Sequence, residues 1–459
     1  QKVSLQGLPE TSAAGTGTQN LVRVVSIALD PTQKLVQTSV SGSQPFVSIM
    51  CKFADYDVEP KNLAYFMGMY ASTAPGLDHY WREVSYNNAN VSGSSAVGWF
   101  TLPHPRAYYF DNSALNFDRI SNDCTAVADS TVNFAPLAGI NLMFNADLDG
   151  YAWGGGHYMT LDGVTKVWSM TWEPPWGYSA ITVIAHEMGH AFGLPHSSGA
   201  YGQVYDNQWD VMSDNWSNCA RSTDPVYGCE GQHTISYHKD RLGWIPAAQT
   251  LVVAANTSAS VTLEQLALPQ TSNYKMIQIP IGGLSNHFYT VEVRRQTGYD
   301  YKLPGQAVII HEVDTTRDRP AYVIDTDLNG VTGDAGAMWT VGEVFKDTAN
   351  EISVSIVSET ATGFNVIVKS GAISISGNTR LGGVTLSYTD GVVKTVTSAS
   401  NGAYNLPVSD GWSGTVTPIK TGYSFSPASR AYTNVVSNIT AQNYIPLVSI
   451  SGSTGVAGA

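Results

Sequence analysis

An α+β domain followed by two all-β sandwich modules is the architecture the sequence predicts, and three observations predict it. Up to residue 246, helical and strand spacings are mixed and strands are few. From 247 to 370, short alternating apolar runs follow one another between turn residues, without helical spacing. From 371 to 446 a second set of such runs appears, of a length that suits a small sandwich. A chain of 459 residues is also the size expected for about three domains.

Taken in order, residues 1–20 are polar and rich in Gly, Ser and Thr, and read as a flexible leader or the remnant of a pro-segment. The β-branched runs at 21–29 (LVRVVSIAL) and 46–53 (FVSIMCKF) read as strands. Pro60 can open a helix in which Leu63, Phe66, Met67 and Tyr70 recur at helical spacing. Further helices are expected near Leu77–Val84, within 113–130 and over 178–191, with INLMFN at 140–145 as a short strand. Beyond Gly243-Trp244 the runs TLVVAA, SVTLEQL, MIQIPI, FYTVEVR, AVIIHEV, ISVSIV and FNVIVKS build the module at 247–370. ISISG, GVTLSYTD, VKTVTSA, GAYNLPV and GTVTPI build the one at 371–446. The tail at 448–459 matches 373–384 at six of twelve positions with an offset of 75, so residues 447–459 read as the start of a truncated second copy.

Composition narrows the function classes. Hydrophobic residues make up 43% of the chain, enough for real cores. A net charge of −13 with only 24 Lys+Arg supplies no basic patch for phosphates, which excludes nucleic acid as a partner. No apolar run reaches the ~18–20 residues needed to span a bilayer. Charged residues are only 13%, a composition that suits an extracellular β-rich protein. Cys51, Cys124, Cys219 and Cys229 lack CxxC spacing and read as disulfides formed in an oxidising compartment. Three pairings are possible. Cys219–Cys229, closing a short polar loop, is favoured, and with it Cys51–Cys124. The absence of a signal peptide before Gln1 then suggests a processed, secreted chain.

The most specific motif is His186-Glu187-Met188-Gly189-His190-Ala191-Phe192-Gly193-Leu194-Pro195-His196, an HExxHxxGxxH pattern. His186 and His190, four residues apart on a helix, project from one face and can share a metal. Glu187 is rotated off that row, so it can reach a water on the metal without binding the metal. Gly193 can take positive φ, end the helix and swing His196 back as a third ligand, while Pro195 keeps the helix from resuming. Three imidazoles and a water make an open Zn²⁺ site, in which Glu187 serves as general base and then acid.

These residues resemble the metzincin clan of zinc endopeptidases. The resemblance implies a metzincin-like catalytic domain at 21–246, with Met212 in the turn Trp209-Asp210-Val211-Met212-Ser213 as a hydrophobic base beneath the metal. Some metzincins carry a ligating Tyr two residues after that Met; here the position is Asp214. FADYDVEP, GLDHYWREVSY, GWFTLP, INLMFN and KDRLGWIP are similar to the secreted M6-type peptidases, the immune-inhibitor-A-like and gametolysin-like group, over roughly 45–370. Residues 371–446 resemble carboxypeptidase-regulatory-like or other immunoglobulin-like sandwiches.

Weaker candidates remain. Asp325, Asp327 and Asn329, and likewise Asn145, Asp147 and Asp149, alternate oxygen side chains before a Gly and could wrap Ca²⁺. Trp209, Trp216 and Tyr227 are candidates for the substrate pocket, and His157 for the cleft lining. Gly154-Gly155-Gly156 lacks the Lys of a phosphate loop. Cys51 lies in a strand pattern, which suits a disulfide rather than an inhibitory thiol. The sequence thus points to a secreted monomeric zinc endopeptidase acting on protein or peptide substrates. The competing reading is an adhesion protein that binds a glycan or cell-surface polymer through its C-terminal module, with the metal domain secondary.

Overall fold

In a computed structural model, residues 39–269, 271–409 and 411–448 are described, together with the backbone of two strands. These are β1 (Val3–Thr11) and β2 (Asn20–Leu29), which pair antiparallel in a sheet of their own. The run at 21–29 is therefore a strand, but it joins part of the expected leader and not the main sheet. The repeat-like tail lies, from 449 on, outside the described residues.

The first domain is built on β3 (Phe46–Lys52), α1 (Leu63–Gly68), α2 (Leu77–Val84), β4 (Ser95–Thr101), α3 (Phe117–Ala128) and β5 (Gly139–Phe144). It continues with β6 (Trp153–Leu161), β7 (Val164–Glu173), α4 (Ile181–Ala191) and α5 (Ser236–Arg241). The sheet order is β6-β7-β5-β3-β4, parallel except for the antiparallel edge strand β6. Parallel strands need covering on both faces, and the period of two along β3 divides its residues accordingly. Phe46 and Met50 join the core under α1, α2 and α4, while Val47, Ile49 and Cys51 join the one under α3. Cys51–Cys124 ties β3 to α3, and Cys219–Cys229 closes a loop with a sequence separation of 10, the pairing favoured from the sequence.

The second module is a sandwich of β8 (Thr250–Val252), β9 (Thr257–Glu264), β10 (Met276–Pro280), β11 (His287–Arg294), β12 (Ala307–Asp314), β13 (Ala321–Val323), β14 (Val344–Asp347), β15 (Ile352–Glu359) and β16 (Gly363–Ser370). One sheet runs β8-β10-β11-β12-β13 and the other β9-β16-β15-β14, around a core that includes Ile277, Val291, Ile310, Val354 and Val366. The third module, from Ile373, is all β around Ile375, Leu386, Leu406, Val416 and Tyr444. The described residues are thus mixed α+β and sheet-dominated, with 16% helix and 38% strand.

The first two domains do not keep separate cores. Trp209, Ile235 and Tyr237 pack with Phe288, Ile309, Val313 and Val323, and Tyr299 enters the core beneath α4. A boundary near residue 246 marks where α-helices stop among the described residues, not where packing stops. Arg294, with no exposed surface, anchors the seam: it donates to the Trp209 carbonyl and pairs with Asp300 and Glu292.

Candidate metal centre

Helix α4 is buried from Ile181 to Gly189, and it brings His186, Glu187 and His190 under the sheet. It ends in paired bonds that need a left-handed residue. Gly193 has φ +94 and donates to the His190 carbonyl at 2.8 Å, while Leu194 donates to Gly189 at 3.0 Å. The reversal returns His196 to the helix. Its Nε2 lies 3.1 Å from that of His186 and 2.9 Å from that of His190, and the first two are 3.1 Å apart.

The outer nitrogens fix which nitrogen carries the proton. His186 Nδ1 bonds the Val211 carbonyl at 2.7 Å, and His190 Nδ1 bonds the Leu194 carbonyl at 2.8 Å. A carbonyl only accepts, so Nδ1 carries the hydrogen and Nε2 presents a bare lone pair to the centre. Burial, then the neighbouring imidazoles, holds His186 well below its ordinary value; burial, then His190, brings His196 down to about 4. Burial also lowers His190. Two bare lone pairs and the His196 Nε2 thus converge on one point, so the group is able to hold a metal ion.

The turn at 209–213 supports this centre from below. Met212 is fully buried, and a Cβ placed on Gly189 would lie only 2.3 Å from its Sδ. Asp210 holds the turn through the Met212 amide at 3.2 Å, the Thr234 hydroxyl at 2.7 Å and His238 Nδ1 at 2.9 Å. Burial alone would raise Asp210, but His238 outweighs it and keeps the carboxyl well below the carboxylate range. Asp214, two residues after Met212, caps the amides of Trp216 and Ser217.

Glu187 is 7% exposed. Burial, reinforced by the buried Glu173 carboxyl, raises it well above its ordinary value. The edge strand β6 crosses close above: a Cβ on Gly154 would come 2.0 Å from the Glu187 carbonyl oxygen. Gly154 thus serves close packing of strand on helix.

The pocket candidates separate. Trp209 is fully buried at the seam and donates its indole N–H to the Thr332 carbonyl at 2.7 Å, so it does not line a cleft. His157 points to the opposite face of the sheet, where it meets Asp118 at 3.3 Å and Trp172. Tyr227 packs at a tilt against Tyr65, and Trp216 is 52% exposed. The aromatic ring against the centre is Tyr205, 5.1 Å from His196 and 6.0 Å from His186 between ring centroids. Burial and then Glu187 raise its phenol. Tyr205 was hidden in sequence within a polar, aromatic-rich stretch with no periodicity to set it apart.

The two oxygen-rich loops also differ. Asn145 is committed to the backbone of Phe53, Tyr56 and Val58, and Asp149 and Asp147 accept the indole N–H groups of Trp153 and Trp176. In the other loop Asp325 and Asp327 do converge, but the third carboxylate is Asp334. Asn329 turns its oxygen to the Val331 amide and its nitrogen to Asp327 and Asp334, so it positions the acids. No helix among the described residues is long and apolar enough to cross a membrane. The two disulfides fit an extracellular protein. No family model and no curated protein matches the chain.

Proposed function

We propose that the chain is a secreted zinc endopeptidase of the metzincin type, cleaving protein or peptide substrates. The observation that carries this reading is three Nε2 atoms within 3.1 Å of one another, with Glu187 on the same helix and Met212 beneath. Neutral imidazoles with no carboxylate or thiolate among them suit zinc. When bound, zinc supplies a Lewis acid that acidifies water and polarises a carbonyl. Glu187, buried on the helix that bears two of the ligands, takes the proton as a carboxylate from the attacking water as the C–O bond forms. It gives a proton to the amine as the C–N bond breaks. The Nδ1 bonds to Val211 and Leu194 hold the rings in one tautomer throughout. The outer edge of β6 offers unpaired backbone groups along which an extended peptide can align.

Casein or gelatin cleavage by the purified chain tests the proposal. Activity should disappear on chelation and return with zinc, and Glu187→Ala should lower kcat by about 10²–10⁴ while the metal stays bound. Cleavage that persists in the metal-free protein or in the variant would refute the mechanism.

A further inference from the structure

The segment leaving His196 is laid against the second module. Ser198 donates to the Ala321 carbonyl at 2.9 Å and accepts from the Val323 amide at 2.9 Å, extending β13 by one bridge. Ser198 and Gly199 bond Asp206 at 2.6 and 2.7 Å, and the Thr332 hydroxyl donates to the Asp206 carbonyl. Between these anchors Tyr201 donates its hydroxyl to Asp325 Oδ2. The same short segment carries Tyr205 to the histidines.

The carboxylates that receive Tyr201 are arranged against their own repulsion. Ligand atoms of Asp325, Asp327 and Asp334 lie within 4.8 Å of one another. Asp325 is 6% exposed, and its Oδ1 has no hydrogen-bond donor among the described residues. That oxygen is aimed into the cluster: a Cβ on Gly336 would lie 2.4 Å from it and 2.8 Å from Asp327 Oδ1. The donors present serve the other acids. Asn329 donates to Asp327 and Asp334, and the Gly336 amide donates to Asp334 Oδ1 at 2.9 Å. A buried carboxylate oxygen left unpaired beside two more carboxylates is costly without a counter-charge. Three hard oxygen donors with no nitrogen or sulfur select a Ca²⁺-like ion.

We propose that Asp325, Asp327 and Asp334 bind a calcium ion that, through Tyr201, fixes the 198–206 segment and so holds Tyr205 against the histidine centre. The ion belongs to the second module, yet it governs a wall of the site in the first. The inference does not depend on proteolysis, because binding and order are both measurable without turnover.

Terbium titration of the zinc-loaded Glu187→Ala full chain tests it, since Tyr201 and Trp209 can sensitise the ion's luminescence. The signal should saturate at one equivalent and be displaced by Ca²⁺. Asp327 is exposed, so Asp327→Asn should keep the fold while weakening binding about ten-fold or more. Asp147→Asn should bind as the parent does. Hydrogen exchange in 199–206 should slow on adding Ca²⁺ to the parent and stay unchanged in Asp327→Asn. Failure to saturate, or equal binding by Asp327→Asn, would overturn the site; saturable binding without slower exchange would overturn its hold on the segment.

Discussion

Gly189 shows how narrowly the metal centre is packed. It lies between the two helical ligands, and its missing side chain is the space that the Met212 thioether fills. Gly189→Ala should cost about 1–3 kcal/mol by overpacking. It should also weaken zinc binding, because the displaced turn carries the Val211 carbonyl that orients His186. Urea unfolding and zinc titration would measure both, and a neutral result would remove Met212 from its supporting role. A second residue-level prediction concerns Asp300. Burial alone would raise its carboxyl, but the Arg294 guanidinium, then His233, outweighs it and holds the carboxyl below its ordinary value. Such a group adds stability that is complete above its unfolded pKa, near ~3.9, and is lost as pH falls through the folded value. Asp300→Asn should therefore lower the urea midpoint at neutral pH and flatten its decline below about pH 4. An acid limb as steep as the parent's would assign that decline to other groups.

Among the elements, β3 and α3 are joined by the disulfide that should matter more. Cys51–Cys124 has a sequence separation of 73 and Cys219–Cys229 one of 10. Chain entropy assigns about 4 kcal/mol to the first and about 3 kcal/mol to the second. The paired Cys51→Ala/Cys124→Ala variant should show the larger drop in urea midpoint; the reverse order would mean that strain or packing outweighs loop length. Legibility in the sequence also varied by element. The helix bearing His186 and His190 was readable because a 3.6-residue period and a glycine stop are local properties. The strands of the second module were readable because alternation marks a half-buried face. The hairpin of β1 with β2 was missed because one partner lies in a polar stretch, where the short alternation of Val3 and Leu5 is interrupted by Gly7 and Pro9. Asp334 was missed for another reason: it lies beyond the six-residue pattern, and folding of the loop, not spacing, brings it to Asp325. Trp209 and His157 were misplaced because composition identifies an aromatic or a histidine but does not say which face it takes.

At the scale of the whole molecule, the first two domains share a core and the third keeps one of its own. Trp209 and Ile235, both fully buried, lose their partners Ile309, Val313 and Val323 if the chain ends at residue 246. The Trp209 carbonyl would lose the Arg294 guanidinium, and the segment after His196 would lose the strand it pairs with. The third module's core, by contrast, draws only on residues from Ile373 onward. Removal of everything after residue 370 should therefore leave a single cooperative unfolding transition and undiminished zinc binding. Truncation at 246 should give a chain without a cooperative transition that binds zinc weakly. The single substitution Arg294→Met, which strands Asp300 and Glu292 without their cation, should already cost about 3–5 kcal/mol. Calorimetry of the three proteins separates the possibilities. A fragment ending at 246 that melts cooperatively and holds zinc as tightly as the full chain would show that the seam is dispensable, and that the histidine centre is supported by its own domain alone.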